Sequence, residues 1–213
     1  MSDAPRPEIL VLAGVNGAGK SSIAGSALRS KDADYFDPDE VTRRLREAEP
    51  GLSLKDANVL AWHIGRRLLE RAIEERVRFA LETTLGGRTI TGLLLKAANV
   101  GLPVRIFYIG LESADLHVRR VRARARRGGH DIPEERIRQR YTSSRANLIR
   151  LIPHVAELRV LDNTKEADPI AGDRPEPKPI LHLRGGRLRY LCPLADVPTW
   201  AKPIVQAALG AVG

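Results

Sequence analysis

The chain alternates short apolar runs with longer segments in which apolar residues recur every three or four positions. Residues 9–13 (ILVLA) form a continuous apolar run ahead of a glycine-rich stretch, the pattern of a strand buried on both faces. Weaker strand patterns follow at residues 33–36 and 78–84, residues 103–109 are again nearly all apolar, and a fifth run covers 157–161. Helical spacing predicts helices over 21–30, 40–47, 54–76 and 89–100, the last closed by Gly101. In the longest of these, Ala57, Leu60, Ile64, Leu68 and Ala72 mark the face expected to turn inward, and Trp62 and His63 are expected to pack. Strand and helix in alternation, joined by right-handed crossovers, predict an α/β fold built on a doubly wound, mostly parallel sheet.

Beyond residue 114 the pattern changes. Residues 115–127 form a helix rich in arginine, broken by Gly128, Gly129, His130 and Asp131, and a second helix covers 133–151 with Pro133 in its first turn. After the fifth strand, residues 167–179 are rich in proline and charge and read as a loop. Runs at 180–183 and 187–191 flank Gly185 and Gly186 and predict a hairpin. A short apolar helix over 198–209, holding Trp200, closes the chain. There is no internal repeat, and residues 1–213 are expected to form a single domain, with 115–150 as a lid and 179–213 as hairpin and terminal helix.

With 213 residues and 43% hydrophobic content, such a domain can bury a full core without covalent staples. The single Cys192 excludes an intramolecular disulfide framework and a cysteine metal cluster; it is expected to be a small packed hydrophobe in a reducing compartment. No apolar run approaches the roughly 20 residues that span a bilayer, and the first residues lack a signal pattern, so a cytoplasmic protein that does not engage membranes is expected. A net charge of +9 calls for acidic partners, which phosphorylated small molecules and nucleic acid both satisfy. Aromatic residues make up only 4%, and none interrupts the arginine run at 119–127, which argues against a surface that stacks bases.

The candidate chemistry begins directly after the first strand. Gly14, Gly19, Lys20 and Ser21 satisfy G-x-x-x-x-G-K-[ST], the Walker A P-loop, in the strand-to-helix context that the motif requires. Small residues from Gly14 to Gly19 let backbone N–H groups converge on phosphate oxygens at a helix N-terminus, and Gly14, Asn16, Gly17, Ala18, Gly19, Lys20, Ser21 and Ser22 are the expected nucleotide-binding residues. Lys20 is placed for the β- and γ-phosphates of ATP and Ser21 for a Mg²⁺ ion. Asp37, Asp39 and Glu40 cluster where the second strand gives way to a helix; Asp37 suits an N-cap, which leaves Asp39 for chemistry. Glu82 and Thr84 stand at the carboxyl end of the third strand, where ligands of open α/β sheets bind, and Asp162, Asn163 and Thr164 occupy that position on the fifth. Only one row of lid arginines can face a nucleotide; Arg120 and Arg124, with Arg140 from the second helix, are the expected row. Arginine suits that role because its planar fork donates bidentately to phosphate and stays charged when desolvated.

The series GVNGAGKSS, FDPDEV, ALETTL, RVRARARRGGHDIPEERIRQRY and VLDNT, in that order, resembles the zeta toxin family of P-loop kinases, and most of all its stand-alone bacterial branch of UDP-N-acetylglucosamine kinase-like proteins. The resemblance implies a three-layer P-loop NTPase fold with an arginine-rich helical lid and a C-terminal β-hairpin. It further implies ATP- and Mg²⁺-dependent phosphorylation of a UDP-linked amino sugar. By motif, Lys20 and Ser21 would hold phosphate and metal, Asp39 would be the general base, Glu82 and Thr84 would bind the acceptor, and Arg120, Arg124 and Arg140 would bind phosphate. Antitoxin-paired members have a longer N-terminal region, which makes a dedicated antitoxin doubtful. The competing expectations are a P-loop kinase for another acceptor, such as another nucleotide, a sugar or a nucleic-acid end, and a nucleic-acid-binding ATPase.

Overall fold

The computed structural model describes residues 6–23, 34–128, 131–165 and 176–212, without the side chains of Ser21, Ser22 and Asp34. Strand β1 (Ile9–Ala13) runs through the P-loop into α1 (Lys20–Ile23); the remainder of the helix expected to residue 30, together with Ala33, lies outside the described residues. Then come β2 (Asp34–Phe36), α2 (Pro38–Ala48), α3 (Leu54–Glu75), β3 (Phe79–Thr83), α4 (Arg88–Asn99) and β4 (Val104–Gly110). The lid helices are α5 (Ala114–Arg126) and α6 (Glu134–Leu151), followed by β5 (Glu157–Asp162), β6 (Lys178–Arg184), β7 (Arg187–Leu191) and α7 (Lys202–Ala211). Gly129 and His130 at the lid break, and residue 166 together with residues 167–175 of the expected loop, lie outside the described residues.

The seven strands form one sheet in the order β2-β3-β1-β4-β5-β6-β7. The first five are mutually parallel and the last two antiparallel. β1 is the middle one of the five parallel strands, and alternate residues face opposite layers: Ile9, Val11 and Ala13 join the core under α3, α4, α6 and α7, while Leu10 and Leu12 pack with Ala18 and Ile23 on the other face. This is the three-layer P-loop NTPase arrangement. It gathers the carboxyl ends of the parallel strands along one edge, which is where the site forms.

Several expectations needed correction. The inward face of α3 is Ala57, Ala61, Gly65, Leu69, Ala72 and Ile73, whereas Leu60, Ile64 and Leu68 are exposed. Small residues face inward because α3 lies close to β2: a Cβ on Gly65 would run into the Phe36 ring. Trp62 does not pack in the core but is 43% exposed, and His63 is exposed beside it. α2 begins at Pro38, earlier than expected, because Asp37 caps it and proline is preorganised for a first helical turn. Lys178 and Pro179 belong to β6, not to the preceding loop. Trp200 precedes α7; its ring covers Gly110, where any side chain would collide with it, and its Nε1 donates to Asp162 (2.9 Å). Cys192 is buried as expected, and burial pushes its thiol pKa up.

Candidate active site

The P-loop is shaped as tightly from outside as from within. Gly17 and Gly19 have φ of +84° and +87°, which L side chains rarely adopt. A Cβ on Gly17 would lie 2.8 Å from the His117 carbonyl oxygen, and one on Gly19 would lie 2.6 Å from Asn163 Nδ2. Both neighbours press directly on the loop backbone. Asn163, at the end of β5, donates from Nδ2 to the Ala18 carbonyl (2.9 Å), and Gly14 N donates to the Thr83 carbonyl (3.2 Å). The loop is thus held in position by β3, β5 and α5, the condition under which backbone N–H groups form a ready anion cradle.

Lys20 is only 7% exposed. Its Nζ donates to the Gly14 carbonyl (2.7 Å) and lies 3.4 Å from Glu82 Oε1, whose other oxygen accepts from Tyr35 Oη (3.2 Å). Asp37 caps α2, accepting from the backbone of Asp39 (3.0 Å) and Glu40 (3.4 Å). Its carboxyl pKa is raised, chiefly by burial and next by the nearby Glu82 charge. Asp39 instead projects from the first turn of α2, and Arg124 Nη1 lies 3.5 Å from its Oδ2. Thr84 follows β3 and accepts from Gly86 N (3.4 Å) in a turn where fully buried Leu85 has φ +54°. Asn147 of α6 straps this turn, donating to the Leu85 carbonyl at 2.8 Å.

Two cavities meet here. The smaller, about 270 Å³, lies over the P-loop between Gly17, Gly19, Lys20, Arg120 and Arg124. The larger, about 700 Å³, is floored by Phe36, Leu81 and Ile90 and rimmed by Trp62, Arg136 and Arg140. Asn16, Pro38, Asp39, Glu82, Thr83 and Thr84 line both. Of the expected residues, Asn16, Gly17, Gly19, Lys20, Asp39, Glu82, Thr84, Arg120, Arg124 and Arg140 therefore converge on one place. Gly14 and Ala18 shape the loop behind it, and the side chains of Ser21 and Ser22 lie outside the description. Arg120 donates to the Thr164 carbonyl (3.2 Å), and Arg140 donates to Asn16 Oδ1 (2.8 Å). Burial, more than the neighbouring Arg136, lowers the Arg140 pKa, and Asp39 opposes that shift.

Arg122 and Arg138 are instead held in exposed ion pairs and line neither cavity. Arg122 reaches Glu134 at 2.6 Å, and Arg138 bridges Glu134 and Asp115. Trp62 and Arg136 are site residues that the sequence reading missed; Arg136 could have been found, since it sits one helical turn before Arg140 on α6. His117 was also missed. It is buried in α5, and its Nδ1 lies 2.8 Å from the Asn16 carbonyl. Burial is the main cause that pushes its pKa down to about 4, and a carbonyl can only accept, so the proton resides on Nδ1. Its signal was its spacing: His117, Arg120, Val121 and Arg124 share one helical face.

Residues 9–146 match the AAA domain family designated AAA_33. The chain belongs to this family. An uncharacterized protein of Haemophilus influenzae is 33% identical over 132 residues, which cover 60% of this chain and 88% of that protein. Among solved structures, AvrRxo1-ORF1:-ORF2 with ATP superposes with a TM-score of 0.66 at 16% identity, covering 97% of this chain and 65% of that one. This chain thus spans just under two thirds of that structure's length. The PezAT chromosomal toxin–antitoxin system of Streptococcus pneumoniae gives a TM-score of 0.53 at 13% identity, over 98% of this chain and 86% of that chain. At these identities the likeness is one of fold. Among the described residues no helix is long and apolar enough to cross a membrane.

Proposed function

We propose that the protein is an ATP-dependent kinase that transfers a γ-phosphoryl group to a hydroxyl of a small molecule, with a UDP-linked amino sugar such as UDP-N-acetylglucosamine as the acceptor class. The observation that carries this reading is the second cavity. A hydrolase needs room only for water beside the phosphate, whereas here the phosphate cradle opens into about 700 Å³, within the range that holds a small-molecule ligand. Asp39 stands on the wall common to both chambers, where a base must be to take a proton from an acceptor hydroxyl as phosphate is transferred. Lys20, Arg120 and Arg124 line the phosphate side and would neutralise the transferring group, with Arg140 reaching in from the acceptor side. Glu82 and Thr84 would orient the acceptor, and Glu82 would also hold Lys20 until nucleotide arrives.

Among the described residues no three or more His, Cys, Asp or Glu converge as a metal site. Mg²⁺ would therefore come with the nucleotide, taking ligands from phosphate, water and, by motif, the Ser21 hydroxyl. The residues fit such an ion, since Glu82 lines the cradle and its charge is, after burial, the second cause of the raised Asp37 pKa, so negative charge stands beside the phosphate cavity for a cation to meet. When bound, the ion neutralises charge on the phosphates.

The nucleic-acid ATPase reading is weaker, because Arg122 and Arg138 on the outer face are committed to Glu134 and Asp115 and Trp62 lines the cavity. A kinase for another acceptor remains the main competitor. The two solved neighbours, one a two-component complex and the other a toxin–antitoxin system, lend no support to doubting a dedicated antitoxin. The test is ATP consumption by the purified chain, alone and with UDP-N-acetylglucosamine. Slow turnover alone and strong stimulation by the sugar nucleotide are expected, since the acceptor completes the closed site. Stimulation by DNA or RNA only, with no nucleotide sugar active, would overturn the reading.

A further inference from the structure

Asn16 is gripped from two sides by the two lid helices. His117 of α5 donates from Nδ1 to its backbone carbonyl at 2.8 Å, and Arg140 of α6 donates to its side-chain oxygen at 2.8 Å. α5 also lies flush against the next residue, since the His117 carbonyl oxygen leaves no space for a side chain on Gly17. The imidazole is itself held: the Tyr141 ring stands edge-on to it with centroids 5.7 Å apart, and Tyr141 Oη donates to the Glu112 carbonyl at 2.7 Å. None of these contacts fills space alone. Each fixes the direction of a group at the mouth of the phosphate cavity, where Asn16 and Gly17 lie, or of the acceptor cavity, where Arg140 lies.

We infer that His117 is a positioning residue for the proposed reaction: through Asn16 it sets the P-loop to receive phosphate and sets Arg140 to face the acceptor cavity, linking the two chambers. The inference rests on the P-loop as a nucleotide site. Lid helices that hold the loop by a backbone carbonyl and a side-chain amide move with it, so phosphate binding in one chamber is felt at Arg140 in the other. That linkage is reciprocal, because a coupling free energy acts equally on both ligands. A neutral imidazole is the form suited to this task, since an added charge would sit beside Lys20, Arg120 and Arg145; burial first, and these cations after it, push the His117 pKa down to about 4.

The test uses two amide replacements of similar polarity. His117→Asn places its amide nitrogen near the position of Nδ1 and can still donate to Asn16, whereas His117→Gln places it near Nε2 and cannot. ADP with Mg²⁺ is titrated into each folded variant by calorimetry. The asparagine variant is expected to bind within about threefold of the unsubstituted chain, and the glutamine variant roughly tenfold more weakly, the effect of stranding one buried carbonyl. Adding Arg140→Gln to His117→Gln is expected to cost less than the product of the two separate losses, because both act through Asn16. Equal affinities for the asparagine and glutamine variants, or losses that simply multiply, would overturn the inference. An unsubstituted chain that binds neither ADP nor ATP would instead sink the nucleotide-site reading on which it rests.

Discussion

Buried carboxylates meet cations at both edges of the sheet, with opposite results. At the amino edge, Glu8 holds Arg78 (3.1 Å) and Arg105 (3.0 Å), and Glu157 holds Arg159 (2.9 Å) and His182 (2.8 Å), with Arg105 bridging the two carboxylates. These groups neutralise one another's charge, and neither of the two cavities at the site touches them. At the carboxyl edge, Lys20 and Glu82 form a similar pair, but that pair lines the phosphate cavity beside a glycine loop whose backbone is kept clear of side chains. Buried charge by itself therefore marks structure as readily as chemistry. What distinguishes the second edge is charge placed against open space and oriented backbone donors.

Substitutions at the two edges should separate activity from stability. The largest expected effect is at Lys20: Lys20→Ala should reduce phosphoryl transfer to background while the melting temperature stays near that of the unsubstituted chain, since a cation aimed at phosphate contributes to the reaction more than to the fold. Normal transfer by a folded Lys20→Ala protein would erase the contrast between the edges. Next is Asp39→Asn, which keeps shape but cannot take a proton; turnover should fall about 10²–10⁴-fold with ATP affinity nearly constant. Asp37→Asn is the control, because asparagine caps a helix nearly as well as aspartate. If Asp37→Asn abolishes transfer and Asp39→Asn does not, the roles assigned to the two carboxylates are reversed.

At the amino edge the pattern should invert. Glu157→Gln is expected to cost roughly 1–3 kcal/mol in denaturant unfolding, as a buried carboxylate gives up its charge-assisted hydrogen bonds to half-exposed Arg159 and to His182, while leaving ADP affinity unchanged. Burial pushes the Glu157 carboxyl up, but hydrogen bonds from Arg159 and His182 outweigh it and leave the pKa lowered. Its contribution is thus present above the usual carboxylate range and lost only as pH falls below that range.

His117 titrates in a different window. Its folded pKa of about 4 lies below the ordinary 6.5, so the unfolded chain binds the proton first and stability should fall as pH drops from about 6.5 to 4. Denaturant midpoints across that range should show the slope, and His117→Asn should flatten it. The smallest effect belongs to the lid's outer surface. Arg122→Ala breaks only an exposed pair with Glu134 and should change stability by less than about 1 kcal/mol and transfer hardly at all. A large loss of transfer would mean that the outward row also reaches the nucleotide.

Much of this molecule is determined by local pattern. The run at Ile9–Ala13, the glycines at 14, 17 and 19, and the lysine that follows act over a few residues, so their strand, loop and helix start are legible one after another. The capping of α2 by Asp37 is equally local, and it leaves Asp39 to project toward the cavities. The choice among arginine rows followed from helical spacing together with the need for one face to meet phosphate. Other features were decided by elements far apart in the chain. Leu60, Ile64 and Leu68 have the periodicity of a buried face, yet the Phe36 ring against Gly65 admits only the small-residue face of α3. Trp62 consequently borders a cavity instead of a core. His117 is one residue in an arginine-rich run until the crossover from β4 carries α5 against the P-loop, 101 positions away, where a backbone carbonyl needs a donor. Sequence by itself determined the elements and the reactive groups, because propensity, capping and glycine conformation are local; only the tertiary structure decided which faces turn inward and which side chains meet, because close approach between distant elements is a property of packing.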